Sequence, residues 1–167
     1  MSNVGMRIYQ NFKRPSKELM ERCGKFAVSN LADCMGRFFC VGPEIKPYNN
    51  VKLLGPAFTV RVPIGDNLLF HKAIDMAQPG DVLVIDGQGD VTRSLFGEIM
   101  ATYAASRGIV GVVVDGSIRD SAAMKELNLA VYAKGVSPMG PYKNGPGEIN
   151  VPIALSLIHI SEPTRPY

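Results

Sequence analysis

Two short stretches of this chain combine residue types and positions that could bind or transform a small molecule. Val112 to Asp115 reads as the end of a buried strand, Gly116-Ser117 permits a sharp turn, and Arg119-Asp120 follows at the mouth of the next element. In α/β sheets ligands bind outside the carboxyl ends of the strands, and the pair falls there. The second stretch is Gly97-Glu98, early in a helix read over Ser94 to Arg107, whose first-turn amides near Glu98, Ile99 and Met100 could receive a carboxylate with help from the helix dipole. Each residue also has a plain reading. Asp120 could cap the helix that follows, Arg119 could be a solvated charge, and Glu98 could be an acid favoured by the dipole.

Other chemistries find less support. A Ser-His or Cys-His mechanism needs a histidine beside a nucleophile, yet His71 lies mid-helix and no GxSxG elbow is present, so it reads as a partly buried helix residue. Gly87-Gln88-Gly89-Asp90 starts like a dinucleotide fingerprint but lacks the third glycine, and a turn after a strand explains it. Cys23, Cys34 and Cys40 are odd in number without CxxC spacing, which argues against a disulfide framework and a zinc site. The net charge of +3 is scattered, so no basic stripe suits a phosphate backbone and nucleic acid is not an expected partner. No apolar run reaches the ~20 residues that span a bilayer, and the start lacks the apolar core of a secretion signal; a cytoplasmic protein without a membrane partner is expected.

The elements that must position these residues alternate. With 167 residues, 46% of them hydrophobic, one domain with a real core is expected. Lys17 to Val28 has helical spacing behind Ser16, and Ser29 to Met35 suggests a second short helix. Ala57 to Val62 reads as a strand, Asp66 to Ala77 as a helix stopped by Pro79-Gly80, and Val82 to Ile85 as a strand covered on both faces. Ile109 to Val114 is a further buried strand, Ser121 to Leu127 a short helix, Leu129 to Tyr132 a strand start, and Glu148 to Ile153 another β-region. This order points to an α/β fold with a sheet that is at least partly parallel. Leu155 to Tyr167 breaks the pattern, and LSLIHISEPTR resembles the in-frame translation of a sequencing adapter; residues 1–154 are therefore read as the domain and 155–167 as a non-native tail.

Gly80-Asp81-Val82-Leu83-Val84, Gly97-Glu98, Ala105-Ser106-Arg107-Gly108 and Asp115-Gly116-Ser117-Ile118-Arg119-Asp120 together resemble the RraA-like family, which includes class II pyruvate aldolases. The resemblance extends from about Ser29 to Ile153. The aldolases of that family carry an acid, twenty residues, then Arg-Asp; Glu98 and Arg119-Asp120 meet this spacing, with Glu where Asp is frequent. The resemblance implies a swivelling β/β/α, phosphohistidine-domain-like sandwich, here incomplete at the C-terminus. It further implies a metal-dependent lyase that cleaves a 4-hydroxy-2-oxo dicarboxylic acid to pyruvate and can decarboxylate oxaloacetate. In that mechanism Asp120 holds Mg²⁺ or Mn²⁺, Arg119 stabilises the enolate, and Glu98 positions a water. Gly97, Glu98, Ile99 and Met100 line the carboxylate cradle. A homotrimer or hexamer with an acid supplied across the interface is the implied assembly when full length. A non-catalytic branch that binds a ribonuclease is the alternative, and Asp120, which that branch tends to lack, favours the enzyme.

Overall fold

A computed structural model of the chain describes residues 5–155 and the backbone of 159–161. Two short helices come first, α1 (Lys17–Cys23) and α2 (Val28–Cys34), neither with a buried residue. Ser16 caps α1 by accepting from the Leu19 amide at 3.2 Å, as its position before the apolar spacing predicts. After β1 (Lys46–Pro47) the alternation begins: β2 (Ala57–Arg61), α3 (Leu68–Met76), β3 (Val82–Asp86), β4 (Ser94–Phe96), α4 (Glu98–Ser106), β5 (Gly111–Ile118), a 3-10 turn at Ala123–Lys125, and β6 (Ala130–Val136). Two-residue β7 (Glu148–Ile149), then β8 (Ile153–Leu155) and β9 (His159–Ser161), complete the described chain.

The sheet runs β1-β6-β5-β3-β2-β7 with β4 paired to the far end of β5. Its centre, β2-β3-β5-β6, is parallel, while β1 and β7 close the edges antiparallel. Continuous apolar runs belong in such a centre because both faces are covered. Phe58, Val60, Leu83, Ile85, Val112 and Val114 face α3 and α4, whereas Val82, Val84 and Val113 pack with Val151, Ile153 and Leu155 on the other side. The chain is thus a mixed α/β fold, as expected.

Several boundaries depart from the sequence reading, among them the first helix, which ends at Cys23 rather than Val28, and two depart for a reason that lies far along the chain. Ser94 to Phe96 form a strand rather than the first turn of a helix, since Ser94 and Phe96 register with Ser117 and Ile118. Residues 115–118 remain in β5 rather than turning at Gly116-Ser117, because they lie between β4 and β6. The helix expected over Ser121 to Leu127 shrinks to the 3-10 turn. Of the segment 155–167 set apart above, Leu155 ends β8 and the backbone of β9 pairs with it antiparallel; the remainder lies outside the described residues.

One buried acid ties the site region together. Asp66 Oδ1 accepts the Leu68 amide at 2.9 Å, opening α3, while Oδ2 accepts the amides of Asn144 at 2.6 Å and Gly145 at 3.0 Å. The strap of residues 139–145 is also stitched by backbone bonds, Asn67 N–H to Tyr142 O at 3.0 Å and Tyr142 N–H to Gly65 O at 2.7 Å. Asp66 is only 3% exposed, and truncation would leave a buried gap and three amides without their acceptor. We expect Asp66→Ala to lower unfolding free energy by about 3 kcal/mol in a urea titration. A loss below about 1 kcal/mol would show that the strap is held without it.

Candidate active site at the start of α4

β4 places the site. Ser94, Leu95 and Phe96 are all buried, and Phe96 stacks on Phe70 of α3 with ring centroids 5.2 Å apart and planes at 9°. Burying such a ring contributes roughly 2–3 kcal/mol, so the chain that enters α4 is fixed at its last strand residue. Gly97 then extends the backbone and α4 starts at Glu98. The Arg119 amide donates to Phe96 O at 2.9 Å, which brings Arg119-Asp120 across from β5 to lie over Gly97.

Asp120 does cap a helix, but not the following one. Its Oδ2 accepts the Glu98 amide of α4 at 3.1 Å, while its own carbonyl accepts the Ala123 amide at 3.0 Å. The local capping alternative weighed from sequence is thereby replaced by a contact between residues 22 apart. Asp120 sits at φ 55°, in the left-handed region that Asp tolerates better than most residues because its short side chain can bond locally. Arg119 Nε stands 3.6 Å from Asp120 Oδ2, and both side chains are a little over two-fifths exposed, so this pair adds little stability. Its value is in holding a cation and an anion side by side at a cavity mouth.

Gly97 matters for the space it leaves. A Cβ there would come within 2.8 Å of Asp120 Oδ2 and 2.9 Å of Arg119 Nε, although its φ of −146° suits any residue. Of the three amides expected to form a carboxylate cradle, that of Glu98 is already taken by Asp120. Those of Ile99 and Met100 precede the first intrahelical bond, from Ala101 to Gly97 O, and retain the unsatisfied donors of a helix start. The Glu98 and Ile99 side chains are exposed and that of Met100 is buried.

Beside this corner lies a cavity of about 150 Å³ lined by Gly97, Ile99, Met100 and Arg119, and also by Asn67, His71 and Lys143. Asn67 belongs to Gly65-Asp66-Asn67, a stretch the family resemblance also covers, whereas His71 and Lys143 fall in none of its motifs. His71 is the half-buried residue of α3 expected from its spacing, but its Nε2 is buried in the cavity wall without a hydrogen-bond partner, as is Oδ1 of Asn67. Burial pushes the His71 imidazole below its ordinary value of 6.5; Lys143 adds to the depression and Asp75 opposes it. The i, i+4 spacing of Asn67 and His71 was the one local signal that both belong to a single helix face.

Among the described residues no group of three or more His, Cys, Asp or Glu side chains could enclose a metal, and no helix is long and apolar enough to cross a membrane.

Two outcomes follow from this geometry. Because only side-chain tips would clash, Gly97→Ala should change stability by less than about 1 kcal/mol yet displace Asp120. The Glu98 amide should then exchange with solvent about tenfold faster, which hydrogen exchange by NMR reads directly; unaltered exchange would refute the contact. For His71, a lowered folded-state value means the unfolded chain binds more protons as pH drops below 6.5. Stability should therefore be intact above that pH and decline as pH falls through and below it, and His71→Phe should blunt the decline in melting temperature between pH 6.5 and 5. An equal decline in the variant would assign it to other groups.

Comparisons with known proteins bear on the family and the fold. The model of the RraA-like family, described as Aldolase/RraA, matches residues 28–163. A Halalkalibacterium halodurans protein named "Putative 4-hydroxy-4-methyl-2-oxoglutarate aldolase" is 46% identical over 131 residues, 78% of this chain and 62% of that protein. The chain thus spans about three fifths of that relative's length. Among solved structures, "RNA-processing inhibitor RraA from Thermus thermophilis" superposes with TM-score 0.76 at 28% identity over 83% of this chain and 84% of its own. A Geobacillus kaustophilus protein titled as S-adenosylmethionine: 2-dimethylmenaquinone methyltransferase gives TM-score 0.74 at 32% identity, covering 83% and 86%. With the family model matched over most of its length, the chain belongs to the RraA-like family.

Proposed function

We propose that this chain is a divalent-metal-dependent carbon-carbon lyase that releases pyruvate from a 4-hydroxy-2-oxo dicarboxylic acid, with oxaloacetate decarboxylation as a second outlet of the same chemistry. The observation that carries the reading is the convergence of Arg119-Asp120 on Gly97-Glu98 beside a closed-in cavity. A protein-binding surface has no need of a guanidinium and a carboxylate poised over a glycine that no side chain could replace without moving them.

The residues fit Mg²⁺ or Mn²⁺ better than a caged ion. Asp120 brings a carboxylate to this corner, and Mg²⁺ needs few protein ligands because it retains waters and takes substrate oxygens. Asp120 and Arg119 close over Gly97, where a Cβ would strike both, and the cavity beside them supplies the room a substrate requires. When bound, the ion would polarise the keto group of a 2-oxo acid.

The remaining work falls to the chain itself. The free amides of Ile99 and Met100 would receive the carboxylate next to that keto group, aided by the positive end of α4. Arg119, permanently charged, would stabilise the enolate oxygen as the bond to the departing carbon breaks. Glu98 would orient a water for proton transfer. Lys143 adds a second cation to the cavity wall, suited to a second carboxylate. An assembly of three or six copies is the proposed working form, supported by Ile99, 82% exposed, and Tyr103, 44% exposed, on the outer face of α4.

Pyruvate release from 4-hydroxy-4-methyl-2-oxoglutarate and from oxaloacetate, assayed with Mg²⁺ and Mn²⁺, tests the reading. Asp120→Ala should keep a cooperative melt and lose metal-dependent turnover by roughly 10³-fold or more. A folded wild-type protein without metal-dependent turnover of either substrate would overturn it. Retention of a ribonuclease by such an inactive protein would favour the regulator reading that the Thermus protein's title carries.

A further inference from the structure

Two polar atoms in the cavity wall have no role in the chemistry described so far. Asn67 Oδ1 and His71 Nε2 are both buried and both lack a hydrogen-bond partner, and both residues line the space bounded by Arg119. Leaving a buried polar atom unpaired costs on the order of 1–3 kcal/mol. Two of them at one cavity call for a shared ligand group rather than two separate accidents of packing.

Their chemistry restricts what that group is. The Asn67 side chain is not free to turn over, because its Nδ2 donates to Leu95 O at 3.0 Å and points toward Met100 Sδ at 3.4 Å. The unpartnered end of the amide is therefore its oxygen, which only accepts. A keto or carboxylate oxygen offers it no proton and would meet it lone pair to lone pair. A hydroxyl offers one proton and keeps lone pairs for a second contact. Burial and the neighbouring Lys143 favour the neutral imidazole of His71, which carries one N–H. Carboxylates have better sites in the same cavity, at Arg119, Lys143 and the start of α4.

We infer that Asn67 and His71 read the hydroxyl of the substrate: on binding, the hydroxyl donates to Asn67 Oδ1 and accepts from the Nε2–H of His71, and as the carbon-carbon bond breaks and the hydroxyl becomes a carbonyl its proton passes to the water that Glu98 orients. This rests on the proposed cleavage of a 4-hydroxy-2-oxo dicarboxylic acid and assigns its hydroxyl-bearing carbon to the α3 side of the cavity. The pair is a specificity device. It favours a hydroxy acid over oxaloacetate, which has no hydroxyl to satisfy either atom.

The test compares kcat/KM for 4-hydroxy-4-methyl-2-oxoglutarate with kcat/KM for oxaloacetate in the same Mg²⁺ buffer. His71→Phe keeps an aromatic ring and removes the donor, and the ratio should fall on the order of 100-fold. His71→Gln, whose Nε2 restores a donor, should recover most of that loss. Asn67→Ser should lower the ratio independently, which keeps the inference open to refutation if His71→Phe does not fold. Equal losses on both substrates, or a Gln variant as impaired as the Phe variant, would overturn the assignment while leaving the lyase reading standing. A wild type that decarboxylates oxaloacetate but leaves the hydroxy acid intact would also overturn it. A wild type inactive on both would instead remove the lyase reading, and the assignment with it.

Discussion

The arrangement of the site depends on a strand of three residues. Ser94 to Phe96 lie beside the end of β5, wholly buried, and this decides that α4 begins at Glu98 rather than a turn earlier. Had the helix started at Ser94, Gly97 would be an interior residue whose amide and carbonyl faced along the helix axis. Asp120 would then have no helix start to meet. The stacking of Phe96 on Phe70 couples the same strand to α3, so the two helices that wall the cavity share one anchor. A core contact thus sets the distance between a charged corner and a pair of neutral polar atoms.

What could be read from the sequence follows the range over which each feature is determined. β2, β3 and β5 show as apolar runs because strands covered on both faces need such residues whatever their neighbours. The carboxyl ends of those strands, and with them Arg119-Asp120 and Gly97-Glu98, follow from the same pattern. The family resemblance supplied the acid-to-Arg-Asp spacing that pattern alone left ambiguous. Ser94 to Phe96 was misread because its residues continue the periodicity of α4, and only pairing with Ser117 and Ile118 makes them extended. Gly116-Ser117 looked like a turn since glycine permits one, yet pairing on both sides keeps it straight. That Asn67 and Lys143 share one cavity was not legible for a simpler reason: they meet only because the strap folds back across the start of α3.

Electrostatically the corner is built from weak parts. Arg119 and Asp120 are half in solvent, and their mutual attraction is screened. Such a pair is easily re-partnered by an incoming anion and cation, which a tightly buried pair would resist at a cost of several kcal/mol. The deeper charges of the fold are used differently. Arg14 grips buried Asp81 through two bonds of 2.8 and 2.7 Å, and Arg61 lies between Asp86 and Glu148 at the carboxyl ends of the strands. These tie chain segments together, whereas the half-exposed Arg119-Asp120 pair can change partners.

The strap of residues 139–145 is held mainly through its main-chain atoms, with Asp66, Ser94 and Arg93 supplying side-chain contacts from outside it and Tyr142 the strap's own, to Arg93. Its own side chains at Pro141 and Lys143 face the cavity without being needed to keep the strap in place. One wall of the site is therefore separable from the frame that carries it. Exchanging Lys143 for a shorter, neutral or acidic residue alters what the cavity accepts while the loop keeps its path. A fold with this division of labour can drift from one 2-oxo acid to another by single substitutions at the strap, with the Arg119-Asp120 corner left untouched.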